Sequence, residues 1–225
     1  MKGIATEKTE RPDRAKSAAT ADVFIPMLDQ LGHDRVRDVR DRAILLFGVA
    51  SSLRRAELCA LDLSDLTWRD EGIAALIRRS KTDRTGRGRY VAVPRSDANP
   101  ARCPVRAVRE WLACAEIEQG PLFQSLWKDG RPRGSRLPPG EVAQAVKRAA
   151  RAAGLDPALF GGHSLRAGYV TQARREGLSW ETIMEQTGHK KIETVKRYAR
   201  DPADAFRTAH VDQVWKAFDR DVEKG

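Results

Sequence analysis

Three short stretches of this 225-residue chain carry side chains that could work on a phosphate. They are Leu53-Arg54-Arg55-Ala56-Glu57-Leu58, His163-Ser164-Leu165-Arg166, and Gly188-His189 followed by Tyr198. Arg54 and Arg166 could each offer planar, permanently charged donors to one phosphate, which suits the extra charge of a pentavalent transition state. His163 and Arg166 stand three residues apart at the start of a predicted helix, so both can face one point, and a helix N-terminus favours an anion. Glu57, one turn beyond Arg54, could orient that guanidinium or form an ordinary surface pair. Tyr198 is one of three tyrosines and a possible nucleophile, although single tyrosines more often serve packing.

Bulk properties agree with a polyanion partner. The net charge is +10, and the segment from Arg78 to Arg151 holds the whole of that excess. A localised basic segment is the footprint of a nucleic-acid-binding face, with a solvated basic surface as the alternative. No apolar run is long enough for a membrane span, and Met1 to Ala19 shows no secretory pattern, so a cytoplasmic protein is expected. Cys59, Cys103 and Cys114 show no metal-binding or disulfide spacing and read as small buried thiols. No metal and no cofactor are expected.

The elements that must position these residues are read from periodicity. Residues 1–19 are polar and read as a flexible tail or linker. Apolar spacing from Ala21 to Leu31 is helical, but Pro26 predicts a short helix starting near the proline. A stronger helix spans Arg35 to Ser51, with Asp34 as its N-cap, and a short one spans Arg54 to Leu61. Leu66 to Trp68, Ile73 to Ile77 and Tyr90 to Val93 read as strands. The last two flank a polar loop holding Lys81, which predicts a small antiparallel sheet with a basic hairpin tip. Helices follow at Pro104 to Ala115, Val142 to Ala153 with Gly154 as cap, Leu165 to Arg175, Trp180 to Gln186 and Pro202 to Val222. Residues 128–140 read as loop. The fold class is α+β, mainly α-helical with a small three-stranded antiparallel β-sheet.

Arg54, Lys81 in Ser-Lys-Thr, His163-Ser-Leu-Arg166, Gly188-His189 and Tyr198 together resemble the active-site set of the tyrosine recombinases, the phage integrase family. The resemblance covers about residue 20 to residue 218. The family usually has Gly before the Leu-Arg pair, where this chain has Ser52, and often a His or Arg after the second arginine, where it has Ala167. The resemblance implies a catalytic domain over residues 20–203 and a C-terminal helix over 204–225 that could be exchanged between protomers. Most members carry an N-terminal core-binding domain; this chain has a linker-like tail in its place, a departure from which that domain is expected to be absent. The resemblance also implies metal-independent site-specific recombination through a 3′-phosphotyrosine. Tyr198 would attack, Arg54 and Arg166 would hold the non-bridging oxygens, His163 would take the tyrosine proton, Lys81 would protonate the leaving oxygen, and His189 would bond the phosphate. Duplex DNA is the expected partner, with a monomer in solution and a homotetramer on DNA. Arg79, Arg84, Arg87 and Arg89 of the hairpin, and Lys147, Arg148 and Arg151 of one helix, are the expected DNA contacts. Two other readings are a type IB topoisomerase-like enzyme that nicks and reseals, and a DNA-binding remnant without catalysis.

Overall fold

The computed structural model describes residues 16–78 and 88–196. Helix α1 (Ala21–Asp29) precedes α2 (Val36–Ser51) and the short α3 (Arg55–Ala60). Strands β1 (Leu66–Trp68), β2 (Gly72–Ile77) and β3 (Arg89–Pro94) follow, then α4 (Pro104–Cys114), β4 (Gln124–Leu126), β5 (Pro132–Arg136), α5 (Pro139–Ala152), α6 (Gly162–Arg175), α7 (Trp180–Thr187) and α8 (Ile192–Lys196).

Helix α2 is the centre of the core. Ala43 through Phe47 are all buried along it, and it packs against α4, α5, α6 and β3. Phe47 meets Phe123 edge to face at 6.2 Å, and fully buried Trp111 of α4 donates its indole N–H to Leu122 O at 2.8 Å. The first half of α2 also buries charge. Arg40 donates to Asp41 and to Gln124 O, while Arg148 of α5 closes on the other Asp41 oxygen at 2.8 Å. Buried charge is tolerated when paired and hydrogen-bonded in this way.

The three-stranded sheet runs β1-β2-β3, antiparallel throughout, with Leu66 opposite Ala75 and Ile77 opposite Arg89. Val91 and Val93 point inward from β3, and Tyr90 between them and Arg89 is exposed. The register brings the ends of β2 and β3 together on either side of residues 79–87, which lie outside the described residues.

Several local expectations are corrected. Helix α1 starts at Ala21 and carries Pro26 inside it; the proline removes only one intrahelical donor, and Thr20 O accepts from both Val23 and Phe24 to start the helix. Asp34 is not the N-cap of α2, whose cap position is Arg35. Residues 128–140 are not all loop: β5 pairs with β4 in a second, two-stranded sheet, and α5 begins at Pro139. A proline suits that first helical turn. Cys59 and Cys103 are buried but Cys114 is exposed; burial pushes the Cys59 thiol up to about 12, so it is inert.

The described residues of the stretch expected to be tail are packed onto the domain. Ser17 donates to Leu159 O and Ala19 to Ser164 O, and Ala19 is buried. Gly168 of α6 makes room for this segment, because a Cβ there would lie 2.1 Å from Ala19 O. The C-terminal helix expected over Pro202 to Val222 lies outside the described residues.

Candidate active site

Four elements bring side chains to one place. Helix α2 ends at Ser51, and Ser52 caps it in the left-handed conformation at φ 52°. That reversal frees the Ser52 carbonyl and leads straight into Arg54. Arg54 occupies the N-cap position of α3. Its backbone N–H donates to Glu57 Oε2 at 2.9 Å and its Nη1 to Glu57 Oε1 at 2.7 Å. Glu57 is buried, so it is not a surface pair: it fixes both the backbone and the guanidinium of Arg54. Arg55 is exposed, and its aliphatic stem lies over Gly162 at the start of α6, where a Cβ would sit 2.1 Å from Arg55 Cδ.

Helix α6 supplies His163 and Arg166 from its first turn. Arg166 is only 1% exposed. Its Nη1 donates to Ser52 O at 2.6 Å, and its Nη2 lies 2.9 Å from His189 Nε2. The second arginine is therefore held between the end of α2 and the His189 segment, regions far apart in sequence. His163 is exposed at the same helix start. Partial burial and then the charges of Arg55, Arg166 and Arg54 hold its pKa below the usual value. It is therefore neutral near pH 7 and able to accept a proton.

His189 follows α7, which ends in left-handed Gly188 at φ 68°. Its Nδ1 lies 2.7 Å from Thr187 Oγ1, which is itself 2.8 Å from Ile183 O. If the Thr187 hydroxyl donates to that carbonyl it must accept from Nδ1–H, and Nε2 then carries the ring's lone pair; Arg166 Nη2, at 2.9 Å from Nε2 and 3.2 Å from Nδ1, lies against the imidazole. Burial first, then the charges of Arg166, Arg54 and Arg89, lower the His189 pKa to about 3. The ring is neutral in this DNA-free arrangement.

The site is thus a strongly positive pocket, with Arg54, Arg55, Arg89 and Arg166 acting on two neutral histidines. Among the described residues, no group of three His, Cys, Asp or Glu is placed to hold a metal ion. Such a surface can gather a phosphate diester and stabilise added charge on it. Lys81 and Tyr198, along with Arg79, Arg84 and Arg87, lie outside the described residues. Helix α8, with Val195 fully buried, is described up to Lys196, two residues before Tyr198 in sequence.

The expected DNA contacts are placed unevenly. Arg151 is exposed and Lys147 half-buried on α5. Arg148 is turned inward onto Asp41, with Nη2 at 2.6 Å from Oδ2, so it serves the core instead of a free basic face. Arg89 is likewise turned inward, donating to Gln186 O at 3.1 Å and Thr187 O at 3.4 Å. A basic surface that sequence reading missed lies elsewhere. Trp127 is 51% exposed beside the β4–β5 turn, with the Arg133 guanidinium 4.1 Å over its ring. With Arg37, Lys128 and Pro138 they line a cleft between α2, α5 and that turn. The signal was the density of arginine around Trp127, set aside once the stretch was read as loop.

Known proteins share both the sequence and the fold of this chain. An integrase/recombinase xerD homolog of Selenomonas ruminantium is 35% identical over 185 residues, covering 82% of this chain and 54% of the relative. A tyrosine recombinase XerC of Corynebacterium glutamicum is 29% identical over 179 residues, covering 76% of this chain and 51% of the relative. This chain therefore spans about half the length of such relatives. The fold is shared with the XerH site-specific recombinase bound to a palindromic difH substrate in a post-cleavage complex. That match has a TM-score of 0.68 at 18% identity, over 91% of this chain and 54% of the other. It is shared as well with the lambda integrase catalytic core, at a TM-score of 0.51 and 22% identity, over 77% of this chain and 92% of that one. The model of the phage integrase family matches residues 24–204. The described portion of the site and these matches agree: the chain belongs to the phage integrase family.

Proposed function

We propose that this chain cuts and rejoins DNA strands as the catalytic domain of a tyrosine-type site-specific recombinase. The observation that carries the reading is a positively charged cluster in which Glu57 fixes Arg54 while the Ser52 carbonyl, two residues before it, holds Arg166 against His189. The Tyr198 hydroxyl oxygen attacks the phosphorus of a DNA phosphodiester, forming a P–O bond as the bond to the 5′-oxygen breaks. Neutral His163 takes the tyrosine proton, and Lys81 gives a proton to the departing 5′-oxygen. Arg54 and Arg166 hold the charge that builds on the non-bridging oxygens. A second 5′-hydroxyl reverses the step, so bond energy is conserved and no nucleotide is consumed.

His189 must change to take part. To donate to the phosphate from Nε2 it must gain a proton there, or shift its proton from Nδ1 to Nε2 while the Thr187 hydroxyl turns to donate to Nδ1. An arriving phosphate diester supplies the negative charge that would raise the ring's proton affinity, and it competes for Arg166.

Duplex DNA is the proposed partner. Its backbone would meet Arg151 and Lys147, the hairpin residues Arg79, Arg84 and Arg87, and the Trp127–Arg133 surface. Four copies would assemble on DNA, a reading supported by the lambda integrase tetramer bound to a Holliday junction, which shares the fold at a TM-score of 0.54; residues 204–225 are the proposed contact between copies. No helix among the described residues is long and apolar enough to cross a membrane, and a cytoplasmic, nucleoid-associated location is proposed. The test is a nicked duplex carrying a family target site, labelled on the 3′-phosphate side of the scissile bond. Label retained on denatured protein supports the reading; label on the 5′ side only would overturn the polarity, and none on protein would remove the chemistry.

A further inference from the structure

Arg89 opens β3, and its side chain runs to the far end of α7. It donates to Gln186 O at 3.1 Å and to Thr187 O at 3.4 Å. Its Nη2 also stands 4.0 Å from Glu57 Oε2, the carboxylate that holds Arg54. Gly188 is what permits this approach, since a Cβ there would lie 2.7 Å from Arg89 Nε. The tie is answered from the other side. The Gln186 side-chain amide donates to Ala92 O of β3 at 2.8 Å and to Ala50 O of α2 at 2.9 Å. Strand and helix end thus grip each other through two side chains aimed in opposite directions.

The grip matters because of how α7 is otherwise held. Its apolar face packs with α6 and α8 in a small cluster of Val170, Ala173, Ile183 and Val195, separate from the main core. His189 bonds to Thr187, the last residue of α7, and the chain continues through α8 toward Tyr198. Orientation of His189 against Arg166 therefore depends on where the end of α7 sits relative to β3 and α3. The carbonyls at a helix C-terminus lack intrahelical partners and carry partial negative charge. A guanidinium placed there both satisfies them and fixes the helix end.

We propose that Arg89 is a positioning residue for His189: with Gln186 it latches the end of α7 to β3 and to the Arg54–Glu57 pair. Arg89 acts through this junction and not by touching DNA. The proposal rests on the recombinase reading above for its effect on rate, but its structural content can be measured without catalysis. Because β3 follows the segment containing Lys81 in sequence, the latch also joins the strand after the proposed leaving-group acid to the helix that precedes the proposed nucleophile.

The test uses the full chain and the variants Arg89→Met, Arg89→Lys, Gln186→Met and the Arg89→Met/Gln186→Met pair. The chain has four histidines, so ring-labelled protein gives four assignable imidazole signals. In DNA-free protein, Arg89→Met and Gln186→Met should both move the His189 signals while leaving those of His33 in place. The Gln186 arm removes no charge, so its shift reports geometry. In single-turnover cleavage of a nicked duplex, Arg89→Met should slow adduct formation by about 10- to 100-fold, the scale of a small misplacement, with DNA affinity within about twofold. Arg89→Lys should recover part of the rate. The double variant should lose less than the product of the two single losses, because both ties secure one junction. Unmoved His189 signals in both single variants would overturn the latch, whether or not the wild-type chain cleaves. So would weaker DNA binding with a salt slope reduced by about one, which would make Arg89 a phosphate contact. An absent wild-type adduct would count against the recombinase reading alone.

Discussion

Arg166 Nη2 and His189 Nε2 lie 2.9 Å apart in a site where both side chains are buried. A guanidinium this close to both ring nitrogens disfavours a second positive charge on the imidazole. The His189 pKa, lowered to about 3, follows from burial and from the surrounding guanidinium groups. An unfolded chain binds a proton on this histidine near pH 6.5, whereas the folded chain does not until about pH 3. Stability should therefore be lost as pH falls through that window, because only the unfolded state gains the proton. Urea unfolding from pH 7 to pH 4 should show a smaller loss for His189→Gln than for wild type. Equal losses would remove His189 as a source of the acid sensitivity.

Glu57 should matter more to rate than to DNA affinity. It accepts from both the backbone and the guanidinium of Arg54. Glu57→Gln keeps the shape but weakens charge-assisted bonds, at a cost of about 1–2 kcal/mol in stability. Single-turnover cleavage at saturating DNA should slow by about 10- to 100-fold, with Kd nearly unchanged. A large rise in Kd at unchanged rate would make Glu57 a determinant of binding instead.

Ser52 sits where the family usually has glycine, and it adopts φ 52°. A non-glycine residue in the left-handed region costs about 1 kcal/mol. Ser52→Gly should therefore be neutral or raise the urea midpoint slightly, and Ser52→Val should lower it clearly. The carbonyl that receives Arg166 is preserved in both, so any effect of Ser52→Gly on cleavage should be small.

The Ala19 contact gives a local prediction. Gly168→Ala would place a methyl against Ala19 O, so the 16–20 segment must lift away while α6 persists. Limited proteolysis should then cut within residues 16–20 faster than in wild type, with the remainder intact. An unchanged cutting rate would mean the helix shifts to make room.

Much of this was legible in sequence because it depends on local signals. The apolar run of α2, the alternation of β2 and β3, and the proline and glycine punctuation around α4, α5 and α7 set the elements. The Arg54, His163–Arg166 and His189 fragments were recognisable by type and order. What sequence could not give was partnership across distance. Arg148 and Arg89 read as free basic residues, and only tertiary packing shows them claimed by Asp41 and by the end of α7. The β4–β5 pair was missed because Gly, Pro and Arg in residues 128–140 resemble loop composition, while a short hairpin needs little strand propensity once Gln124 and Arg136 are paired. Pro26 misled in the same way, since packing of Phe24, Met27 and Leu28 into the core outweighs one missing hydrogen bond.

The most direct test of the account is the identity of the residue that becomes covalently joined to DNA. Wild-type protein should be incubated with a nicked suicide duplex, digested, and the nucleotide-bearing peptide sequenced by mass spectrometry, in parallel with Tyr198→Phe, Tyr169→Phe and Tyr90→Phe. The account predicts a 3′-phosphate on Tyr198, loss of adduct in Tyr198→Phe, and adduct retained in the other two. Adduct on another residue, or adduct surviving Tyr198→Phe, would contradict it.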